Sequence, residues 1–122
     1  MPYLINVNGK KVVSVGYVRP AYTDNDLLPL GLSGALQQLK DEFDAHYEES
    51  ACHPMKFRYA MHNFTGGRPG LAKVFEKFLE YAKGHRGVWF CRCMDIARFW
   101  SEHEGASKEQ KGRHESPNSA AP

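Results

Sequence analysis

One histidine, His62, follows a predicted strand and directly precedes a glycine-rich turn that leads into a helix. In α/β folds, reactive groups collect at the edge of the sheet where the strands end. An imidazole at such an edge can donate or accept a proton near neutral pH, which suits general acid or base catalysis. An ordinary hydrogen-bonded surface histidine is the alternative interpretation, and the position alone leaves both open.

An arginine, Arg68, stands between two glycines and a proline in the segment Gly66-Gly67-Arg68-Pro69. Glycines allow close backbone approach, and a guanidinium at a helix start is a planar, permanently charged donor for a carboxylate or carbonyl oxygen. The same residues would also start a helix after a tight turn without binding anything. The spacing does not match a phosphate-binding loop, because the required glycine pattern and the Lys-Ser/Thr ending are missing.

Two aspartates, Asp24 and Asp26, lie in a polar segment together with Tyr22 and Asn25. Their carboxylates could bind polar groups of a substrate, or they could only form Asx turns. The surrounding residues 19–32 show no periodicity, so we expect a loop that is long enough to form one wall of a site. Histidine pairs at metal-ligand spacing and a Ser-His-Asp arrangement are both missing, so no metal ligand is assigned.

The segments around these residues follow two periodicities. Asn8-Gly9, a pair that tolerates the positive φ angles of a type I′ turn, predicts an N-terminal β-hairpin. A period of two predicts strands, and apolar residues that recur every three or four positions predict helices, the first of them capped by Ser33. The predicted strands are 3–7, 11–18, 55–61 and 88–93, and the predicted helices are 33–50, 69–84 and 94–103.

The alternation of helices and strands after residue 33 predicts an α/β fold with a parallel sheet covered by helices. Such a sheet needs several strands that are buried on both faces, and the sequence offers only two or three. We therefore expect a partial fold whose other strands come from elsewhere. Trp89 and Trp100 are expected in the core, and Cys91 and Cys93 are expected as small buried residues on one face of the last strand.

The composition indicates one globular domain. Of the 122 residues, 42% are hydrophobic and 25% are charged, and neither fraction suggests a disordered or fibrous protein. We place this domain at residues 1–104. Residues 105–122 are polar and almost free of large apolar side chains, so a disordered tail is predicted there.

Charge, apolar runs and cysteine count limit the partners, the location and the disulfides that we expect. The net charge is only +2, and basic residues alternate with acidic ones, so no nucleic-acid-binding face is expected. The sequence contains neither a membrane-spanning apolar run nor the layout of a signal peptide, so no membrane partner and a cytoplasmic location are expected. Three cysteines cannot form a closed set of disulfides.

Four motifs occur in an order that resembles a known family. They are Pro20-Ala21-Tyr22-Thr23-Asp24-Asn25-Asp26, then His62-Asn63-Phe64-Thr65-Gly66-Gly67-Arg68-Pro69-Gly70, then Val88-Trp89-Phe90, and Ile96-Ala97-Arg98-Phe99-Trp100. Together they are similar to the polysaccharide deacetylase (NodB-homology) family, and more narrowly to its allantoinase-like and cyclic-imidase-like branch. The resemblance extends over about residues 3–101.

The resemblance implies the C-terminal half of a distorted (β/α) barrel that hydrolyses carbon–nitrogen amide bonds. The substrate would be an N-acetylated glycan or a small amide or ureide. His62 matches a family histidine that protonates the leaving group, and Arg68 matches the arginine of the Gly-Arg-Pro motif. Tyr22, Asn25 and Asp26 match the substrate-side loop.

The sequence also departs from the family pattern. The early aspartate motif and the His-x3-His metal pair would precede residue 1, so a divalent metal such as zinc, if the complete protein binds one, has no ligands here. We therefore expect a fragment or truncated paralogue that is inactive alone. The alternative function is a non-catalytic binding or interaction module, and a homo-oligomer is one assembly that the sequence leaves open.

Overall fold

The structure, a computed structural model, describes residues 2–15 and 22–105. Of these, residues 22–89 form one compact unit, and residues 2–15 and 90–105 form another. Among the helices of the described residues, none has both the length and the apolar character needed to cross a bilayer. The described elements are β1 (Tyr3–Val7), β2 (Lys10–Ser14), β3 (Tyr22–Thr23), α1 (Asp24–Leu27), a 3₁₀ turn (Leu28–Leu30), α2 (Gly31–Glu49), β4 (Tyr59–Ala60), α3 (Pro69–Lys83), α4 (Cys93–Trp100) and a π-helical turn (Ser101–Gly105).

The N-terminal hairpin is confirmed. β1 pairs with β2 in antiparallel orientation, with Tyr3 opposite Ser14. At the turn, Asn8 and Gly9 have φ angles of 51° and 76°, the two positive values that a type I′ turn requires. The second strand was predicted to reach residue 18, but it ends at Ser14, and residues 16–18 lie outside the described part of the chain.

Two long helices, α2 and α3, carry the core of residues 22–89. The helix predicted over 69–84 is confirmed, with Pro69 in its first turn and Gly84 as its C-cap. The Ser33 cap is wrong, because α2 begins at Gly31, where a φ of 69° turns the chain directly out of the 3₁₀ turn. The buried apolar side chains of this unit are Leu27, Ala35, Leu39, Phe43, Leu71, Val74, Phe78 and Ala82.

An aromatic cluster around Phe43 joins the two helices to the segment before β4. The Phe43 ring lies edge-to-face with Phe78 at a centroid distance of 5.9 Å and with Phe57 at 6.0 Å. The His85 ring packs against Phe43 at 4.9 Å. Such pairs contribute about 0.5–1.5 kcal/mol each beyond the burial of their area. The cluster therefore fixes the segment that leads into the candidate site.

The predicted strand over 55–61 is confirmed only at Tyr59 and Ala60. These residues pair in parallel with Tyr22 and Thr23 of β3. In the described residues no further strand joins this pair, and a β-strand needs a hydrogen-bonded neighbour to extend. Because the pairing is parallel, the residues that follow the two strands emerge at the same edge.

The loop predicted over 19–32 is wrong for much of its length. Thr23 caps the short helix α1, which the 3₁₀ turn connects to α2. The physical reason is a reciprocal capping box between Thr23 and Asp26, which closes a helical turn without any hydrophobic periodicity. Residues 19–21 lie outside the described part of the chain.

The buried strand predicted over 88–93 is also wrong. Residues 88–92 form no regular element, and Cys93 begins α4. The side chains of Trp89, Cys91 and Cys93 are exposed, Trp89 by 58%, so the predicted burial of all three is wrong. An apolar run indicates burial, but a strand also needs a second strand to pair with. Among the described residues, no strand pairs with residues 88–92.

The last helix is confirmed with shifted bounds. It was predicted over 94–103, and α4 runs from Cys93 to Trp100 before the π-helical turn. Trp100 is buried, with 6% of its surface exposed, as predicted. The predicted disordered tail lies outside the described residues from position 106 onward.

Candidate active site

The carboxylate of Asp24 forms the centre of the candidate site. Asp24 is the first residue of α1 and directly follows β3. In the capping box, Oδ2 of Asp26 accepts a hydrogen bond from the Thr23 amide at 3.2 Å, so Asp26 serves the local helix start. Asp24 is not needed for this cap, and its side chain is completely buried.

Both carboxylate oxygens of Asp24 accept hydrogen bonds. Oδ1 lies 2.6 Å from Nδ1 of His62 and accepts the Asn25 amide at 2.9 Å. Oδ2 accepts the backbone amides of His62 at 2.6 Å and of Gly66 at 2.7 Å. A buried carboxylate without such donors would be strongly destabilising. Here two separate segments of the chain supply them.

The turn after β4 presents the donors that hold Asp24. The amides of Thr65 and Gly66 donate to the carbonyl oxygen of His62, at 3.2 and 2.8 Å. A Cβ atom on Gly66 would lie 2.8 Å from Oδ2 of Asp24 and would overlap Cγ of Met61. Glycine is therefore required at position 66 for close approach.

Asp24 is held in its ionised form. Its burial alone would raise the pKa of the carboxyl, because a low-dielectric surrounding disfavours charge. The hydrogen bonds from the side chain and amide of His62 and from the amide of Gly66 outweigh burial, and the pKa lies below its ordinary value of 3.8.

The ionised carboxylate determines the tautomer of His62. An ionised carboxylate only accepts hydrogen bonds, so Nδ1 of His62 carries a hydrogen and donates it to Oδ1 of Asp24. Nε2 is then the ring nitrogen that can exchange a proton with a substrate. The His62 side chain is 43% exposed, in contrast to its buried partner. We refer to these two residues as the Asp24–His62 dyad.

Comparison with known proteins finds two similar proteins. No family model matches the chain. A Schizosaccharomyces pombe (strain 972) protein that is assigned by name to the polysaccharide deacetylases is 28% identical over 102 residues, which are 83% of this chain and 28% of that protein. The crystal structure of a Pseudomonas aeruginosa PAO1 protein, described as a probable polysaccharide deacetylase, matches with a TM-score of 0.73 and 31% identity over 85% of this chain and 36% of that one. The chain is thus similar to part of the polysaccharide deacetylases.

The match to the polysaccharide deacetylases is partial in length. The chain spans about a third of each of these two relatives, 28% of one and 36% of the other. The family resemblance of the sequence is thus confirmed, and the mixed helices and strands agree with part of an α/β fold. The allantoinase-like and cyclic-imidase-like branch stays a prediction.

The other residues that the deacetylase resemblance indicated lie near the dyad in sequence, but their described contacts are with the protein's own backbone and helix cap. Asn25 contributes its backbone amide, and the carboxylate of Asp26 caps α1. Arg68 is exposed, and its Nε donates to the carbonyl oxygen of Phe64 at 3.2 Å. Tyr22 pairs through its backbone in β3, and its side chain lies outside the described part of the structure. Their substrate-binding roles stay predictions.

The described residues do not fit a divalent metal, which the resemblance left open for a complete deacetylase. Within residues 2–15 and 22–105, no group of three or more His, Cys, Asp or Glu side chains could hold a metal ion. Both oxygens of Asp24 are already occupied by hydrogen bonds.

Asp24 stood out in the sequence as a polar residue, but no pattern there paired it with His62. The signal that could have done so is the spacing Thr23-x-x-Asp26, which resembles a capping box. A capping box assigns Asp26 to the helix start and leaves Asp24 for another role. The parallel pairing of β3 with β4 then brings Asp24 and His62 to one edge.

Proposed function

We propose that this chain is part of a hydrolase that cleaves carbon–nitrogen amide bonds, with the Asp24–His62 dyad as its proton-transfer group. The observation that carries the proposal is the 2.6 Å contact between the buried Oδ1 of Asp24 and Nδ1 of the exposed His62 imidazole. A histidine oriented by a buried carboxylate recurs on unrelated hydrolase folds. Similarity to the polysaccharide deacetylases supports this reaction class.

The proposed role of His62 is to protonate the leaving nitrogen. When the tetrahedral intermediate of amide hydrolysis collapses, the C–N bond breaks and the nitrogen needs a proton to leave as an amine. Nε2 of a protonated His62 supplies that proton, and the imidazole becomes neutral. Asp24 stabilises the imidazolium before transfer and keeps Nδ1 protonated throughout.

The proposed substrate is an N-acetylated glycan, and a small amide or ureide is the other candidate. Arg68 would donate to a substrate oxygen through the guanidinium nitrogens other than Nε, which already donates to the Phe64 carbonyl. Tyr22, Asn25 and Asp26 would contact the substrate from the α1 side. The rest of the pocket would come from the other strands of a distorted (β/α) barrel in the complete domain.

A chimera tests this proposal. Residues 2–105 replace the matching segment of the Pseudomonas aeruginosa relative, and the product is assayed for acetate release from N,N′-diacetylchitobiose and for hydrolysis of allantoin. We expect turnover of one substrate, and His62→Ala should lower kcat by about a hundredfold or more with little change in KM.

The matched control is His53→Ala, because His53 also pairs with a carboxylate, Glu49 at 3.2 Å, but both side chains are 56% exposed. This variant should keep full activity. A chimera whose turnover survives His62→Ala would show that His62 is not the acid. A folded chimera that hydrolyses neither substrate would favour the alternative of a binding module.

A further inference from the structure

Two cysteines lie at the start of α4. Cys93 is the first residue of the helix, and Cys91 precedes it by two positions. Both were predicted to pack in the core, yet both are exposed and carry free thiols. Packing therefore does not account for two thiols at this place, and neither of them belongs to the Asp24–His62 dyad.

The backbone between the two cysteines is extended. Arg92 has a φ of −86° and a ψ of 160°. Side chains on either side of an extended residue point to the same side of the chain. Their Cα atoms are about 6–7 Å apart, because extended backbone rises about 3.1–3.4 Å per residue. A disulfide joins Cα atoms that are about 4.4–6.8 Å apart, so a small backbone movement at Arg92 brings Cys91 and Cys93 within bonding range.

The two thiols also influence each other electrostatically. Partial burial, the Asp95 carboxylate and the neighbouring Cys93 together raise the pKa of Cys91. A thiol with a raised pKa is a poor first nucleophile near neutral pH, because the thiolate is the reactive form. Cys91 is therefore suited to the second step of a thiol–disulfide exchange, in which an adjacent disulfide is resolved.

We propose that Cys91 and Cys93 form a redox-active pair that closes a reversible disulfide, with a small-molecule disulfide such as oxidised glutathione as the oxidant. The thiolate of Cys93 attacks one sulfur of oxidised glutathione, the S–S bond of glutathione breaks, and one glutathione leaves as a thiolate. The thiolate of Cys91 then attacks Sγ of Cys93 and displaces the second glutathione. Two protein thiols are oxidised to one disulfide, and the oxidant is reduced to two glutathione molecules that take up the two protons.

The disulfide would act on the start of α4. The amide of Arg92 donates to Oδ2 of Asp95 at 2.9 Å, and its guanidinium donates to both carboxylate oxygens at 3.1 and 3.0 Å. A bridge across Arg92 changes its backbone angles, because disulfides favour a Cα separation of about 5.5–6 Å. Oxidation should therefore weaken this cap and loosen the first turn of α4.

The test incubates the full 122-residue chain with an excess of oxidised glutathione and follows it by intact mass and peptide mapping. We expect a bridge between Cys91 and Cys93, with the loss of two hydrogens, that dithiothreitol reverses. It should exceed the product with glutathione on both cysteines by at least about tenfold, because the second step is intramolecular. Cys91→Ser and Cys93→Ser should each stop at one glutathione adduct on the remaining cysteine of the pair.

Cys52 is the matched control, since it is also exposed but has no cysteine next to it in the sequence. It should take up glutathione without forming a bridge, and Cys52→Ser should leave the Cys91–Cys93 bridge unchanged. In ¹H–¹⁵N NMR spectra, oxidation of the Cys52→Ser chain should move the amide signals of Arg92 and Asp95. The amide of Thr23, which donates to Asp26 in the cap of α1, should not move.

Three results would overturn the proposal. The first is glutathione on both Cys91 and Cys93 without a bridge, and the second is a bridge from either of them to Cys52. The third comes from the chimera described above, in which the rest of a deacetylase domain is present: a folded chimera whose pair no longer reacts would show that the complete domain covers these thiols. All three readouts follow thiol chemistry, so they do not depend on whether the chimera hydrolyses an amide.

Discussion

Oδ1 of Asp24 lies 2.6 Å from Nδ1 of His62, although 38 positions separate the two residues in the chain. The contact depends on the parallel pairing of two strands of only two residues each, with Tyr22 opposite Tyr59. It joins a fully buried carboxylate to an imidazole that is 43% exposed. The stability of the chain and the proposed chemistry should therefore both depend on Asp24.

Asp24→Asn should destabilise the chain by about 2–3 kcal/mol at pH 7, because a charged acceptor with several donors is lost and an amide NH₂ then faces backbone N–H groups. Urea unfolding measures this change. The matched control is Asp41→Asn: Asp41 is exposed and accepts a hydrogen bond from Gln37 at 2.7 Å. It should change the free energy of unfolding by less than about 0.5 kcal/mol. Equal effects of the two variants would contradict a stabilising role for Asp24.

The stability difference between the original chain and Asp24→Asn should depend on pH in one direction. The pKa of Asp24 is lowered in the folded state, so in acid the unfolded state binds more protons than the folded state. The contribution of Asp24 is then complete above its ordinary pKa of 3.8 and is lost as the pH falls through the lower folded pKa. The difference between the urea midpoints of the original chain and Asp24→Asn, measured from pH 7 to 2.5, should therefore become smaller as the pH falls. A difference that grows in acid would refute the assignment.

Gly66→Ala should destabilise the chain by about 1–3 kcal/mol through overpacking, because the added Cβ meets Oδ2 of Asp24 and the side chain of Met61. The exposed neighbour Asn63 provides the control, and Asn63→Ala should change stability by less than about 0.5 kcal/mol. Thermal unfolding of both variants checks this. A Gly66→Ala chain as stable as the original would mean that the turn can open away from Asp24.

The two tryptophans should differ in their contributions to stability. Trp100 is 6% exposed and Trp89 is 58% exposed. Trp100→Ala should cost about 3 kcal/mol or more, as large core truncations do, and Trp89→Ala should cost less than about 1 kcal/mol. Trp100→Phe should cost less than Trp100→Ala, since the buried Nε1 has no hydrogen-bond partner among the described residues. Equal urea midpoints for the two alanine variants would contradict this difference.

The elements that the sequence predicted correctly are those whose signal is local. The Asn8-Gly9 turn needs two positive φ angles, and the apolar stripe of α3 needs only one helical face, so both could be read from neighbouring residues. The strand predicted over 88–93 failed for the opposite reason. Its apolar residues have the pattern of a buried strand, but a strand forms only beside a second strand, and the pattern does not identify one.

The candidate site was predicted in part. His62 was identified from its place after a strand, and this position is where the structure brings it to Asp24. The sequence did not show whether Asp24 or Asp26 would contact His62. The capping box uses the carboxylate of Asp26, which leaves Asp24 for this contact. The four hydrogen bonds to Asp24 come from residues on both sides of α2, and no local pattern in the sequence specifies such contacts.

A kinetic double-mutant cycle in the chimera tests most directly whether Asp24 and His62 act as one unit. The kcat values of Asp24→Asn, His62→Ala and the double variant are compared with that of the unsubstituted chimera. Because Asp24 acts through His62, the double variant should be no slower than His62→Ala alone, which itself loses about a hundredfold or more. Losses that multiply in the double variant would show that the two residues act independently, and the Asp24–His62 dyad would then not be the proton-transfer group.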